Sequence, residues 1–259
     1  MKASNKLLIG LLAVGVLTLV GSTVAFRAEH DQIDFNDPFY GFSSTAVKPF
    51  RVLKIEGKAG KIGEIPAPVG MVKPSGNVPD KIYSNTTITV QSGKGFEIRV
   101  QKTSNVAFTY RSDGDTLIVQ YEPEIFAQSI GPGQAFVDMP FAYINTPFAY
   151  ILTPSVQTLV VEGATCKVAG LSMEKVAVVA TDARVLISRS TIGNLLTTGK
   201  RGSLVQTASA NRIRTATITS HDSTGFIAER DVFGSILLQS DSNATVKAPA
   251  SLLRKMMVN

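Results

Sequence analysis

A repeat of about twenty residues in the second half of the chain most constrains how it can fold. Between residues 156 and 250, two sets of positions return at an offset of twenty: Val156, Val176, Leu196, Ala216 and Ile236, and Thr158, Val178, Thr198, Ile218 and Leu238. A unit of this length cannot bury its own apolar face, so successive units must stack on one another. The repeat therefore predicts a fold of stacked rungs.

Each rung is predicted to consist of β-strands. Apolar and polar residues alternate within it, as in a strand with one buried face, and turn residues recur at Gly163, Asp182, Gly202, Asp222 and Asn243. Three apolar blocks in each repeat predict three short strands, each paired in parallel with its equivalent in the next rung. The prediction is an all-β parallel β-helix, or β-solenoid, with about 20 residues per rung. An antiparallel sandwich, with strands every eight to twelve residues or so, is the alternative that the constant offset disfavours.

Additional β structure is predicted before the repeats. Short β-rich segments lie at 86–90, 96–100, 106–110 and 117–121, and Asp113-Gly114 is a hairpin signal. The stretch 60–80, rich in proline and glycine, predicts a long exposed loop. Residues 48–259 are therefore predicted to form a single β-solenoid domain.

The N-terminal residues predict a membrane anchor or a signal peptide. Residues 7–26 form an uncharged apolar run that follows Lys2 and Lys6 and precedes an acidic stretch. About twenty helical residues span the hydrocarbon core of a bilayer, and the charge asymmetry predicts that the rest of the chain is extracytoplasmic. Residues 1–26 are therefore either an uncleaved anchor in the membrane or a cleaved signal peptide, and 27–47 a linker. The predicted location is the cell envelope, periplasmic or at the surface.

Composition and motifs exclude several classes of function. The formal net charge is +6, without any block of like charges, which argues weakly for acidic partners such as anionic polysaccharide and gives no reason to expect nucleic acid. One cysteine, Cys166, and two histidines cannot build a His/Cys zinc site. No phosphate loop, dinucleotide fingerprint or nucleophile elbow occurs. We therefore predict no metal, no cofactor and no catalytic residue.

A duplicated aromatic segment just before the repeats is one candidate binding surface. The sequence PFAYINT at 140–146 is followed by PFAYILT at 147–153. Their rings alternate with small or polar residues and could lie on one side of two extended segments: Phe141, Tyr143, Phe148 and Tyr150. Such rings could bind sugar or the apolar surface of a partner. The alternative, which is favoured, is that they fill a wide rung or close the end of the solenoid.

A set of acidic residues is the only candidate for catalysis. Glu162, Asp182 and Asp222 fall at the same place in the twenty-residue offset. Carboxylates two rungs apart would be separated by about 10 Å, which is near the upper limit for an inverting glycosidase. Aspartate in a turn, hydrogen-bonded to its own backbone, is the commoner explanation.

The segments ILTPSVQTLVVEGATCKVAG at 151–170 and VAVVATDARVLISRS at 176–190, with DGDTLIVQYEP upstream, resemble a known family. It is the auto-transporter adhesin head GIN domain family of bacteria, mostly Bacteroidetes, and the likeness covers residues 85–250. The resemblance implies a right-handed solenoid of short strands and brings no established catalytic residues.

Three functions follow as hypotheses. The first is a non-catalytic surface protein of the cell envelope, an adhesin or a module that binds polysaccharide or another envelope protein. The second is a polysaccharide-active enzyme that uses Asp182 and Asp222. The third is a structural envelope protein that associates through the exposed end of its solenoid.

Overall fold

The computed structural model describes residues 3–30, 33–34, 36–57, 83–84, 87–104, 106–122, 125–126 and 147–257. The chain divides into two compact units, Met1–Phe42 and Ser43–Asn259. The predicted domain boundaries at residues 26 and 47 stay predictions. The predicted loop at 60–80 and the whole first aromatic copy, 140–146, lie outside the described residues.

The first unit contains helix α1, Ala3–His30. Its window Gly10–Arg27 has a mean hydropathy of 1.7 and none of it is buried. Within the described residues this is the one helix long and apolar enough to cross a membrane, as a signal peptide or an anchor would be. The helix continues past residue 26, where the sequence placed the start of a linker.

The second unit is mostly β. Its strands before the repeats are β1 (Phe42–Ala46), β2 (Val52–Gly57), β3 (Tyr83–Ser84), β4 (Ile88–Ser92), β5 (Glu97–Gln101), β6 (Phe108–Asp113), β7 (Thr116–Tyr121), β8 (Ile125–Phe126) and β9 (Ala149–Thr153). The later elements are β10 (Thr158–Glu162), β11 (Thr165–Ala169), β12 (Ser172–Thr181), β13 (Arg184–Ser188), β14 (Thr191–Lys200), β15 (Leu204–Thr207), β16 (Arg212–Ser220), β17 (Gly225–Ala228), β18 (Phe233–Ser240), β19 (Thr245–Lys247) and helix α2 (Ala250–Met257).

Two large sheets contain almost all of these strands. Sheet A has the order β1-β5-β9-β4-β11-β13-β15-β17-β19, and sheet B has the order β18-β16-β14-β12-β10-β2-β7-β6. Most neighbours pair in parallel, but β5 pairs with β9 and β6 with β7 in antiparallel fashion. The all-β prediction is confirmed for the described residues, and the sheets are mixed rather than purely parallel. The hairpin predicted at Asp113-Gly114 joins β6 to β7, with Gly114 at φ +59°.

From β11 onward the chain alternates between the sheets, and we call one sheet A strand with the following sheet B strand a coil. Equivalent positions of sheet A are Cys166, Val185, Val205, Phe226 and Val246. The steps between them are therefore 19, 20, 21 and 20 residues. The constant offset of twenty predicted from the sequence is thus correct on average and wrong in detail.

Sheet B shows the consequence of this uneven step. Val178 pairs with Thr197, and Thr197 pairs with Ile218. The core column therefore contains Thr197 rather than Thr198, and by the same shift Leu195 rather than Leu196. Leu195 is fully buried and Leu196 only partly.

The structure has two strands per coil, not the three predicted. In β14 the core-facing residues Ile192 and Leu195 are three positions apart instead of two, which breaks the alternation once. The ladder to β12 is interrupted between them, at Gly193. The third apolar block and the first block of the next repeat therefore belong to one strand that is bent at a corner. The sequence pattern detected the two faces of that strand as separate strands.

The core is closed at both ends of the stack. Near its N-terminal end Tyr121 and Phe148 are buried, with ring centroids 5.0 Å apart. At the C-terminal end α2 packs on β18 and buries Leu252 completely. The C-terminal segment is therefore an amphipathic helix that covers part of this end of the stack.

Candidate functional site

The structure separates the predicted aromatic residues. Phe141 and Tyr143 lie outside the described residues. Phe148 is 3% exposed and contacts the ring of Phe108 at 5.9 Å as well as that of Tyr121, so it is a core residue. Tyr150 lies half-buried on β9, and burial raises the pKa of its phenol.

The predicted acidic residues do not form one column. Glu162 pairs with Thr181 in the ladder, so Asp182 is one position beyond it. Asp182 and Asp222 both have left-handed backbone, with φ of 49° and 56°. One carboxylate oxygen of Asp222 accepts the backbone N–H of Arg201 at 3.2 Å. These contacts are those of turn residues, since aspartate tolerates this conformation and bonds nearby N–H groups.

Glu162 belongs to a network of paired charges. Lys54 lies 2.6 Å from Glu56 and 3.2 Å from Glu162, and Gln120 donates to Glu56 at 2.5 Å. The hydrogen bonds from Gln120 and Lys54 hold the pKa of Glu56 below its ordinary value, and the bond to Glu56 raises that of Lys54. Both are therefore charged at neutral pH, as expected of a surface ion pair rather than of a general acid.

A groove of about 940 Å³ runs along the bend in the sheet B strands. We call it the corner groove. It crosses β12, β14, β16 and β18 at the place where each strand turns, so it spans successive coils of the stack. Its polar and charged lining residues are Ser172, Glu174, Thr191, Ser209, Asn211, Arg212, Arg214, Arg230 and Asp231.

Glycine alternates with charged residues along the corner. The ladder interruptions place Glu174, Gly193, Arg214 and Gly234 at equivalent positions of successive coils. A Cβ at Gly193 would lie 2.6 Å from the carbonyl oxygen of Glu174, and one at Gly234 would lie 2.6 Å from that of Arg214. No larger residue fits without a backbone shift. The two glycines therefore keep the corner narrow and leave backbone exposed between Glu174 and Arg214.

The charges along the groove differ in how they are paired. Glu174 and Arg214 form an ion pair across the intervening Gly193, with both side chains more than two-thirds exposed. Asp231 lies 2.7 Å from Lys255 of the capping helix. Arg212 and Arg230 are exposed, and within the described part of the chain neither forms an ion pair with a carboxylate. The groove therefore offers two arginines to an external anion.

The wall of the groove is held by a buried asparagine. Asn211 is 5% exposed, accepts the N–H of Ser190 at 2.9 Å, and donates to the carbonyl oxygens of Ile187 and Ala208 at 2.7 and 2.9 Å. These bonds join the coil of β13 to that of β15, because Ile187 lies on the former. The position of Arg212, the next residue, is fixed accordingly.

Metal and thiol chemistry find no support among the described residues. No group of at least three His, Cys, Asp or Glu side chains is placed to hold a metal ion in that part of the chain. Cys166 is fully buried, and burial raises the pKa of its thiol far above neutrality. It is therefore an inert core residue.

Among solved structures the chain has distant neighbours. No family model and no curated protein matches the chain. A crystal structure of a "putative adhesin" from Bacteroides fragilis is 10% identical, with a TM-score of 0.38, over 80% of this chain and 92% of the other. A second, likewise described, from Parabacteroides merdae is 10% identical with a TM-score of 0.27, over 80% and 95%. At these values the two likenesses assign no function.

Proposed function

We propose that the chain is a non-catalytic surface protein of the bacterial cell envelope whose second unit binds a polysaccharide. In this proposal the unit is a right-handed β-helix of the head GIN adhesin type. Its steps of 19 to 21 residues between parallel strands support a solenoid. The right hand is the one that parallel crossover connections adopt almost always.

The observation that carries the proposal is the corner groove. It is long, open to solvent and lined by hydroxyl and guanidinium groups, which suit the hydroxyl and acidic groups of a sugar chain. Arg212 and Arg214 lie on strand β16, whose ladder holds the backbone in place, and Arg230 lies on the segment between β17 and β18. A repeated groove on stacked coils fits a repeated ligand.

The envelope location rests on α1. Its apolar window is long enough for a membrane span, and positive charge precedes it. In the proposal the second unit therefore lies outside the cytoplasm, where polysaccharide is available.

The two other hypotheses have less support. One carboxylate oxygen of Asp222 accepts a hydrogen bond from the backbone N–H of Arg201. The left-handed backbone at Asp182 and Asp222 accounts for aspartate at both positions without catalysis. Association through the end of the stack is disfavoured by α2, which covers part of that end and buries Leu252. The pocket that contains Glu162 and Asp182 has a volume of about 600 Å³, less than that of the corner groove.

The test uses the full chain in detergent micelles, immobilised and exposed to neutral and anionic polysaccharides. Retention of polymer and release of new reducing ends are both measured. Retention without new ends is the expected result. New ends that disappear in Asp182→Asn/Asp222→Asn would identify an enzyme, and failure to retain any polysaccharide would refute the proposed function.

A further inference from the structure

We propose that the corner groove is the ligand site and that its ligand is a linear polysaccharide carrying carboxylates, such as a polyuronate. Arg212 and Arg230 bind the carboxylates of successive sugars, and Arg214 adds a third contact. This inference rests on the proposed function and names its site and its class of ligand.

The placement of the arginines supports recognition of a repeated anion. Arg212 begins β16 and Arg230 precedes β18, so they lie on adjacent coils, which are spaced by about 4.8 Å. A guanidinium binds a carboxylate through two parallel hydrogen bonds, a geometry that lysine cannot reproduce. Two such groups along one groove favour a chain with acidic groups at intervals over a single small anion.

The pair of Glu174 and Arg214 is able to exchange partners. Both side chains are largely exposed, and an exposed ion pair is weak because water screens it. A ligand carboxylate can therefore replace Glu174 at little cost. Gly193 contributes no side chain between them, and the side chain that lies over it is that of Glu174 itself, which the ligand carboxylate would replace.

The groove also suits sugar hydroxyls better than nucleotide bases. Ser172, Thr191 and Ser209 line it and are exposed, so their hydroxyl groups are available as donors and acceptors. The aromatic residue in its lining, Phe233, is only 3% exposed. Single-stranded nucleic acid binds through exposed rings on which bases stack, and none lines this groove.

The test compares two double variants of the full chain in detergent micelles. Arg212→Ala/Arg230→Ala removes the two arginines of the groove, and Arg51→Ala/Arg111→Ala removes two exposed arginines outside it, so the net charge changes equally. Binding of polygalacturonate is measured by titration, with its fully methyl-esterified form as the uncharged ligand and single-stranded DNA as a competitor.

Polygalacturonate is expected to bind the wild type, and to bind the groove variant about ten-fold more weakly, since the variant lacks two guanidinium–carboxylate contacts. The control variant should stay within about two-fold. Arg212→Lys/Arg230→Lys should recover only part of the loss, because the charge returns without the paired hydrogen bonds.

The possible outcomes distinguish failure of the groove assignment from failure of the proposed polysaccharide-binding function. Equal losses in both double variants, or equal binding of the esterified polymer, would overturn the groove assignment while a polysaccharide-binding function survives. Tighter binding of DNA than of polygalacturonate would replace the ligand class. Retention of no polysaccharide at all would remove both proposals.

Discussion

Replacing Thr197 with valine is expected to stabilise the second unit. Thr197 faces the core in the column of Val178 and Ile218 and is 2% exposed. Among the described residues its hydroxyl has no hydrogen-bond partner. A buried hydroxyl without a partner costs about 1 to 3 kcal/mol, and valine has nearly the same shape. The free energy of unfolding should therefore rise by about 1 kcal/mol or more.

Thr153 provides a matched control. It is fully buried, but its hydroxyl donates to the carbonyl oxygen of Ser155 at 2.5 Å and accepts the N–H of Ser155 at 3.2 Å. Valine at this position removes both bonds and leaves the two backbone groups of Ser155 without that partner. Thr153→Val should therefore lower the free energy of unfolding by about 1 to 3 kcal/mol. The same substitution has opposite signs at two buried sites.

The assay is urea denaturation of the full chain in micelles, followed by far-ultraviolet circular dichroism because the chain has no tryptophan. The midpoint of unfolding should increase for Thr197→Val and decrease for Thr153→Val at unchanged slope. The corresponding rise in Tm is about 2 to 4 °C per kcal/mol for a domain of this size. A lower midpoint for Thr197→Val would refute the reasoning, since it would mean that the hydroxyl is satisfied.

Three further results are expected. In the same denaturation assay, Leu195→Ala should lower the free energy of unfolding by about 2 to 5 kcal/mol, and Leu196→Ala should lower it by less than half as much. The reverse order would indicate that Leu196 faces the core, as a constant step of twenty residues requires. Gly57→Ala should unfold the protein or lower its Tm by more than about 6 °C, because a Cβ at this position would collide with the backbone carbonyl of Gly163. Gly95→Ala is the control: a Cβ at Gly95 would have open space around it, so the Tm should not change. Hydrogen bonds hold the pKa of Glu97 below its ordinary value of 4.5, so the contribution of Glu97 to stability is present above pH 4.5 and is lost as the pH falls below it. Glu97→Gln should therefore make the Tm fall less steeply below pH 4.5. A pH profile of the Tm equal to that of the wild type would contradict this prediction.

The β class and the stacking of repeats could be predicted from the sequence because both depend on alternation and offset. The column of sheet A from Cys166 to Val246 follows an offset of twenty residues on average. The register of sheet B could not be predicted from the sequence, because steps of 19 and 21 residues cancel over the repeat and a constant offset of twenty fits the apolar pattern nearly as well. A one-residue slip exchanges Leu195 for Leu196, although both are leucine, so hydrophobicity alone does not distinguish them.

The predicted number of strands per coil was wrong for a related reason. A strand that bends shifts its buried face by one position, and the bend divides one apolar pattern into two. Gly193 and Gly234 mark this bend, but an isolated glycine within a strand pattern is also compatible with a turn. The pairs on both sides of this position, Met173 with Ile192 and Lys175 with Asn194, show that the strand continues through the bend.

The corner groove depends on that same register. With a constant step of twenty, Glu174 would align with Asn194 and Arg214, whereas the observed steps align it with Gly193 and Arg214. In the first case an amide side chain would lie between the two charges, and in the second only backbone does. The 19-residue step that aligns Leu195 with the core column therefore also aligns Gly193 with Glu174 at the corner. Because both faces lie on one strand, Leu195→Ala tests the register on which the proposed site depends.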